Sequence, residues 1–227
     1  MPNAFTQMPD QQTWTALVSA AKRGLEAKGF TLTRMPGRGR SNVWEIERQG
    51  TTQRASIRTT KNRWFAFPPL KRGTKWKTLD DVAVVIVAAV DDREDPRNAQ
   101  VYLFDAGEVR KRFDAAYFAR TKAGQVVKDD FGMWVNLDED KRRLPTSVGA
   151  GLAVEHKPIA EFPIDALLAE GAVDVRLEPE DADMSEAESS VSSARTIAEV
   201  MNWARRHIAS LSGVRPDAVK LDLKIEY

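Results

Sequence analysis

Cysteine is absent from all 227 residues, which excludes disulfides, thiolate nucleophiles and cysteine-type zinc sites. Histidine is almost absent. His156 and His207 lie in separate segments with no carboxylate at ligand spacing in the sequence, so no histidine metal centre is expected. The longest apolar run, Val82 to Val90, has nine residues, against the roughly 20 that a membrane helix needs. There is no Gly-x-x-x-x-Gly-Lys-Ser/Thr phosphate loop and no Gly-x-Ser-x-Gly elbow. Met1 to Asp10 has neither a basic start nor an apolar stretch, so the expected location is the cytoplasm.

What is present is charge, unevenly placed. The formal net charge is only +1, yet residues 34–77 hold twelve Lys or Arg against two carboxylates, Glu45 and Glu47. Five large aromatics, Trp44, Trp64, Phe65, Phe67 and Trp76, are threaded among them. The balancing acid lies downstream, where residues 171–190 carry seven carboxylates against Arg176 alone. A basic surplus this concentrated attracts a polyanion, and phosphate backbones are the common one. The side chains expected to contact nucleic acid, DNA or RNA, are Arg38, Arg40, Arg54, Arg58, Lys61, Arg63, Lys71, Arg72, Lys75 and Lys77. Aromatics in short strands belong more often to a core, and Trp44 and Phe65 are assigned there. Trp76, between two lysines in an expected loop, is the candidate for stacking on a base.

Hydrophobic periodicity predicts a helix over 10–28, with Asp10 as cap and Gly29 as terminator. Val43 to Arg48 and Arg54 to Thr60 alternate with period two around the turn Gly50-Thr51-Thr52, as a hairpin does. Trp64 to Phe67 reads as a third short strand. Val82 to Val90 reads as a central strand buried on both faces. Gln100 to Phe104 is the next strand, and Asp105-x-x-Glu108 has the form of a capping box opening a helix with Val109, Phe113 and Ala116 inward. One more strand is expected within Phe131 to Leu137 and a short helix over Ile164 to Ala169.

A leading helix, a hairpin ending in Ser56-Ile57-Arg58-Thr59-Thr60, an apolar strand, then strand and helix resembles the PD-(D/E)xK, or restriction-endonuclease-like, nuclease fold. The resemblance covers roughly residues 10–137. It implies an α/β (α+β) protein with a central mixed sheet, flanking helices and a hairpin that carries the catalytic site. In that family one hairpin strand gives an acidic ligand and the next gives Glu-x-Lys or Gln-x-Lys, holding magnesium through hard oxygen atoms. Here Ser56 stands where the second acid or amide belongs and Arg58 where the lysine belongs, with Glu45 or Glu47 as the remaining acid. Arginine stays protonated at any working pH and is a poor proton shuttle.

The resulting expectation is a nuclease-like core over 1–145, extended by 146–177. An acidic, serine-rich linker over 178–194 and a C-terminal helix–strand element over 195–227 follow. Its expected function is to bind nucleic acid with a degenerate catalytic centre and no cofactor. Two alternatives stand beside it: a surviving magnesium-dependent nuclease with displaced ligands, and a module that dimerises or docks on a protein through 195–227. By family analogy such a protein would serve bacterial DNA repair or antiphage defence.

Overall fold

The computed structural model describes residues 10–35 and 43–169, with side chains from Thr13 onward. The chain divides into two units, Met1–Glu178 and Pro179–Tyr227. The second lies outside the described residues, and with it the expected linker and the C-terminal helix and strand.

The first unit opens with α1 (Asp10–Ala27), then a meander of β1 (Thr31–Arg34), β2 (Val43–Arg48) and β3 (Thr51–Thr60). Three short strands follow, β4 (Trp64–Phe67), β5 (Pro69–Leu70) and β6 (Lys75–Trp76), and a 3-10 turn over Leu79–Asp81. Next come β7 (Val84–Val90), β8 (Asn98–Asp105), α2 (Ala106–Lys122) and β9 (Met133–Asn136). The short helix α3 (Leu152–Glu155), β10 (Ala160–Pro163) and α4 (Ile164–Ala169) complete it.

Six strands form one mixed sheet in the order β1-β2-β3-β7-β8-β10, parallel only between β3 and β7. The apolar run that marked β7 reflects its place in the middle. Val84, Ile86, Ala88 and Val90 face α1 and α4, and Val85, Val87 and Ala89 face α2. A strand covered on both faces has no polar side. On the first face Leu17, Val18, Ala21 and Leu25 of α1 form the buried stripe read from its spacing. On the second, Phe113 of α2 meets Phe65, Phe67 and Trp76 edge-on, at centroid distances of 5.4, 5.3 and 5.3 Å. Both sheet edges are unattractive for further pairing: β1 is mostly exposed and polar, and β10 ends in Pro163. Among the described residues no helix is long and apolar enough to cross a membrane.

The structure departs from the expected elements in three ways. The edge strand β1 is extra, since Thr31–Arg34 buries too little to show an alternation. Trp64–Phe67 does not join the main sheet but pairs antiparallel with β9 in a separate ribbon laid over the second core. The capping box is half formed. The Asp105 side chain accepts from the Glu108 backbone N–H at 2.9 Å, while the Glu108 carboxylate lies against His156.

One side chain ties the ribbon to the sheet. Arg63 is 7% exposed and has a left-handed backbone, φ 64°. Its Nε donates to both Asp138 oxygens at 2.9 and 2.8 Å, Nη1 donates to the Val90 carbonyl and to Gln100 Oε1 at 3.2 Å, and Nη2 reaches Tyr102 Oη at 3.3 Å. Burial works against its charge, but Asp138 and Tyr102 outweigh burial and hold its pKa above the usual arginine value. Losing one partner of a buried ionic network costs about 3–5 kcal/mol. Asp138 is half exposed, so about 2–4 kcal/mol is expected for Arg63→Met in urea unfolding and less for Asp138→Ala. A change in Arg63→Met within about 0.5 kcal/mol, the range of ordinary surface substitutions, would show that the ribbon is held by packing alone.

Candidate nucleic-acid interface

The residues standing at the nuclease-like positions come from β2 and β3. In their register Glu45 faces Arg54 and Val43 faces Ser56. Along β3, Ser56, Arg58 and Thr60 sit beside Val85, Val87 and Ala89 of β7, on the side of the sheet that α2 covers. Ser56 is fully buried, and its Oγ has no hydrogen-bond partner among the described residues. Arg58 is 7% exposed, with its guanidinium carbon 4.5 Å from the Phe67 ring centroid. A cation against an aromatic face in a dry setting is a structural contact. The expectation that Arg58 grips a phosphate is therefore corrected: the side chain is inside, against Phe67. Glu45 is half-buried and Glu47 exposed, and neither belongs to a group of three or more ligand-capable side chains among the described residues.

Two more expected contacts move inward. Arg63 is the buried anchor described above. Trp76 is 1% exposed, not a loop residue open to a base. Its indole N–H donates to Asp114 Oδ1 at 2.8 Å and its ring packs on Phe113. The reason is local: Lys75 and Lys77 are exposed on either side of Trp76, so Lys75-Trp76-Lys77 alternates outward, inward, outward. Arg38 and Arg40 lie outside the described residues. Arg54, Lys61, Lys71, Arg72, Lys75 and Lys77 are exposed. Lys77 Nζ is 2.9 Å from Asp130, an exposed pair of small energetic weight.

The most constrained basic feature is the turn between β5 and β6. Lys71, Arg72 and Gly73 have φ of 50°, 57° and 78°, three left-handed residues in a row. Non-glycine residues adopt this region rarely and at a cost, so something must hold them there. The Arg72 backbone N–H donates to both Asp129 oxygens at 2.9 and 3.1 Å. Thr74 Oγ1 donates to the Lys71 carbonyl at 2.9 Å, and Arg110 Nη2 donates to the Thr74 carbonyl at 3.0 Å. Asp80 accepts from the Trp76 N–H at 2.9 Å and pairs with Arg110. With its backbone fixed this way, the turn presents the side chains of Lys71, Arg72 and Lys75 outward. None of the three has a carboxylate partner among the described residues.

A second polar cluster joins α2 to α3, and the sequence did not suggest it. His156 Nε2 donates to Glu108 Oε1 at 2.9 Å, while Arg112 Nη2 lies 2.5 Å from Glu155 and 3.9 Å from Glu108. The Arg112 hydrogen bond holds the Glu155 carboxyl below its usual range. Glu108, Glu155 and His156 bring ligand-capable atoms within 4.8 Å of one another, the one such grouping among the described residues. The Arg112 guanidinium already supplies a cation to both carboxylates. Its parts are 48 residues apart, a separation that ligand spacing in sequence cannot reveal.

Comparison with protein-family models, with curated proteins and with solved structures gave no match.

The turn depends on Gly73. An added Cβ would lie 2.6 Å from Tyr117 Cε1, and the position has φ +78°. Gly73→Ala is expected to destabilise by about 2–4 kcal/mol, combining left-handed strain with overpacking. Thermal or urea unfolding reads this, and an unchanged midpoint would show the turn to be free to relax.

Proposed function

We propose that this chain binds nucleic acid without cutting it, on a nuclease-like core of the PD-(D/E)xK type whose catalytic centre is degenerate. The observation that carries the reading is the pinned turn, with three exposed cations that have no carboxylate partner among the described residues, on a backbone held by hydrogen bonds. A pinned backbone leaves only the side chains to be ordered when a phosphate arrives, which is what preorganisation contributes to affinity. Arg54 and Lys61, exposed near the two ends of β3, extend the basic surface. The mixed sheet between helices, with a hairpin leading into an apolar strand, is consistent with the nuclease-like order of elements.

Cutting is disfavoured by chemistry. Magnesium takes hard oxygen ligands in near-octahedral geometry. Ser56 is inaccessible, Arg58 is held against Phe67, and Glu45 belongs to no group of three or more ligand-capable side chains among the described residues.

Fluorescence anisotropy with a labelled oligonucleotide tests the reading. Lys71→Gln, Arg72→Gln and Lys75→Gln together should weaken binding by at least about tenfold, since one charge-assisted hydrogen bond contributes about 1.5–3 kcal/mol. The oligonucleotide should stay intact with magnesium present. Undiminished affinity in the triple variant would move the site elsewhere. Magnesium-dependent cleavage lost in Glu45→Ala, Glu47→Ala would restore the catalytic reading.

A further inference from the structure

The structure sorts the aromatics of the basic segment into two groups. Trp44, Phe65, Phe67 and Trp76 are buried, at 5%, 1%, 0% and 1% exposure. Trp64 is different. It lies on β4, where Phe65 and Phe67 point into the second core and Trp64 and Ala66 point away from it. On the paired strand Met133 and Val135 point inward, and Trp134 and Asn136 point away. The register sets Trp64 opposite Asn136 and Ala66 opposite Trp134, so the two tryptophans are diagonal neighbours on one outward face. Diagonal pairs lie roughly 7–8 Å apart, within reach of large aromatic rings. Both indoles are half-buried and belong to neither core. Neither ring stacks on another aromatic and neither indole N–H has a hydrogen-bond partner among the described residues.

Partly exposed tryptophans on the outward face of a two-stranded ribbon within a basic region meet the two requirements for holding single strands, π-faces for bases and cations for phosphates. The cations are in place at both ends. Lys61 is exposed three residues before Trp64, at the start of the ribbon. At the other end β4 runs through Pro68 into β5 and the Lys71-Arg72-Gly73 turn, and Asp130 N–H donates to the Pro69 carbonyl at 2.8 Å. The side of β9 is braced by α2, where Arg120 Nη2 donates to the Trp134 carbonyl at 2.6 Å, with exposed Lys122 two residues on. From Trp64 to Phe67 the ribbon extends about 10 Å at strand rise, the scale of a few nucleotides.

We propose that the outward face of this ribbon is a stacking platform for unpaired bases, with Trp64 and Trp134 as its two stacking residues, so that the ligand is single-stranded nucleic acid. The proposal rests on the nucleic-acid reading above and narrows it. Phosphates lie on the pinned turn and on Lys61, and bases lie on the two indoles. A base inside a duplex has its faces covered by its neighbours and cannot use this platform.

Anisotropy titrations of the full chain compare one labelled sequence as a single strand and as a duplex. The wild type is expected to prefer the single strand. Trp64→Ala, Trp134→Ala should weaken single-strand binding by roughly five- to 150-fold per stacked base and leave duplex binding unchanged. Trp64→Phe, Trp134→Phe keeps an aromatic face in each position, so it should retain the single-strand preference while losing the tryptophan quenching that the single strand causes in the wild type. Equal affinity for both forms in the wild type, or full quenching persisting in the phenylalanine pair, overturns the platform and leaves the phosphate turn standing. No binding of either form by the wild type overturns both readings together.

Discussion

A single buried guanidinium holds the second layer of this fold in place. Arg63 sits where the chain leaves the main sheet to build the β4–β9 ribbon, and its donors are shared among Asp138, the Val90 carbonyl, Gln100 and Tyr102. A buried arginine carries a large desolvation penalty, which only a full set of acceptors offsets. Because those acceptors lie after β9, at the end of β7 and along β8, satisfying the charge fixes the ribbon against the sheet. Phe65 and Phe67 then close over Phe113, and Arg58 is enclosed beneath Phe67. The burial of Ser56 and Arg58 follows from the same closure.

The basic segment is thus two populations with different physical roles. Arg58 and Arg63 are interior, neutralised or stacked, and contribute to the fold. Lys71, Arg72 and Lys75 are exterior, on a left-handed turn held by Asp129, Arg110 and the Tyr117 ring. The aromatics divide in the same way, with Trp76 filling the core under the turn and Trp64 left outside on the ribbon. A count of charges over 34–77 treats these as equivalent, and only burial separates them.

Most of the sheet was legible in the sequence because burial wrote a period into it. The stripe on α1, the alternation in β2 and β3 and the unbroken apolar β7 each report which faces are covered. Two features carried a usable signal that charge obscured. Lys75-Trp76-Lys77 is itself an alternation, and reading it so would have placed Trp76 inside. Trp64 to Phe67 followed by Met133 to Asn136 gives two matching short alternations that can pair as a ribbon. The remaining features had no local signal. Arg63 meets Asp138 across 75 residues and Arg72 meets Asp129 across 57, and the second of these contacts holds the left-handed backbone at Arg72. The edge strand β1 left no pattern because almost none of it is buried.

The central claim is that a small set of fixed cations binds phosphates. The dependence of oligonucleotide affinity on salt concentration tests it most directly, because each neutralised phosphate releases counterions and adds about −0.7 to −0.9 to the slope of log affinity against log salt. With Lys71, Arg72 and Lys75 as contacts beside Lys61, the account predicts a slope of about −3 to −4 for the wild type, falling to about −1 when the three turn residues are replaced by glutamine. A wild-type slope near zero, or one that the three substitutions leave unchanged, would contradict it.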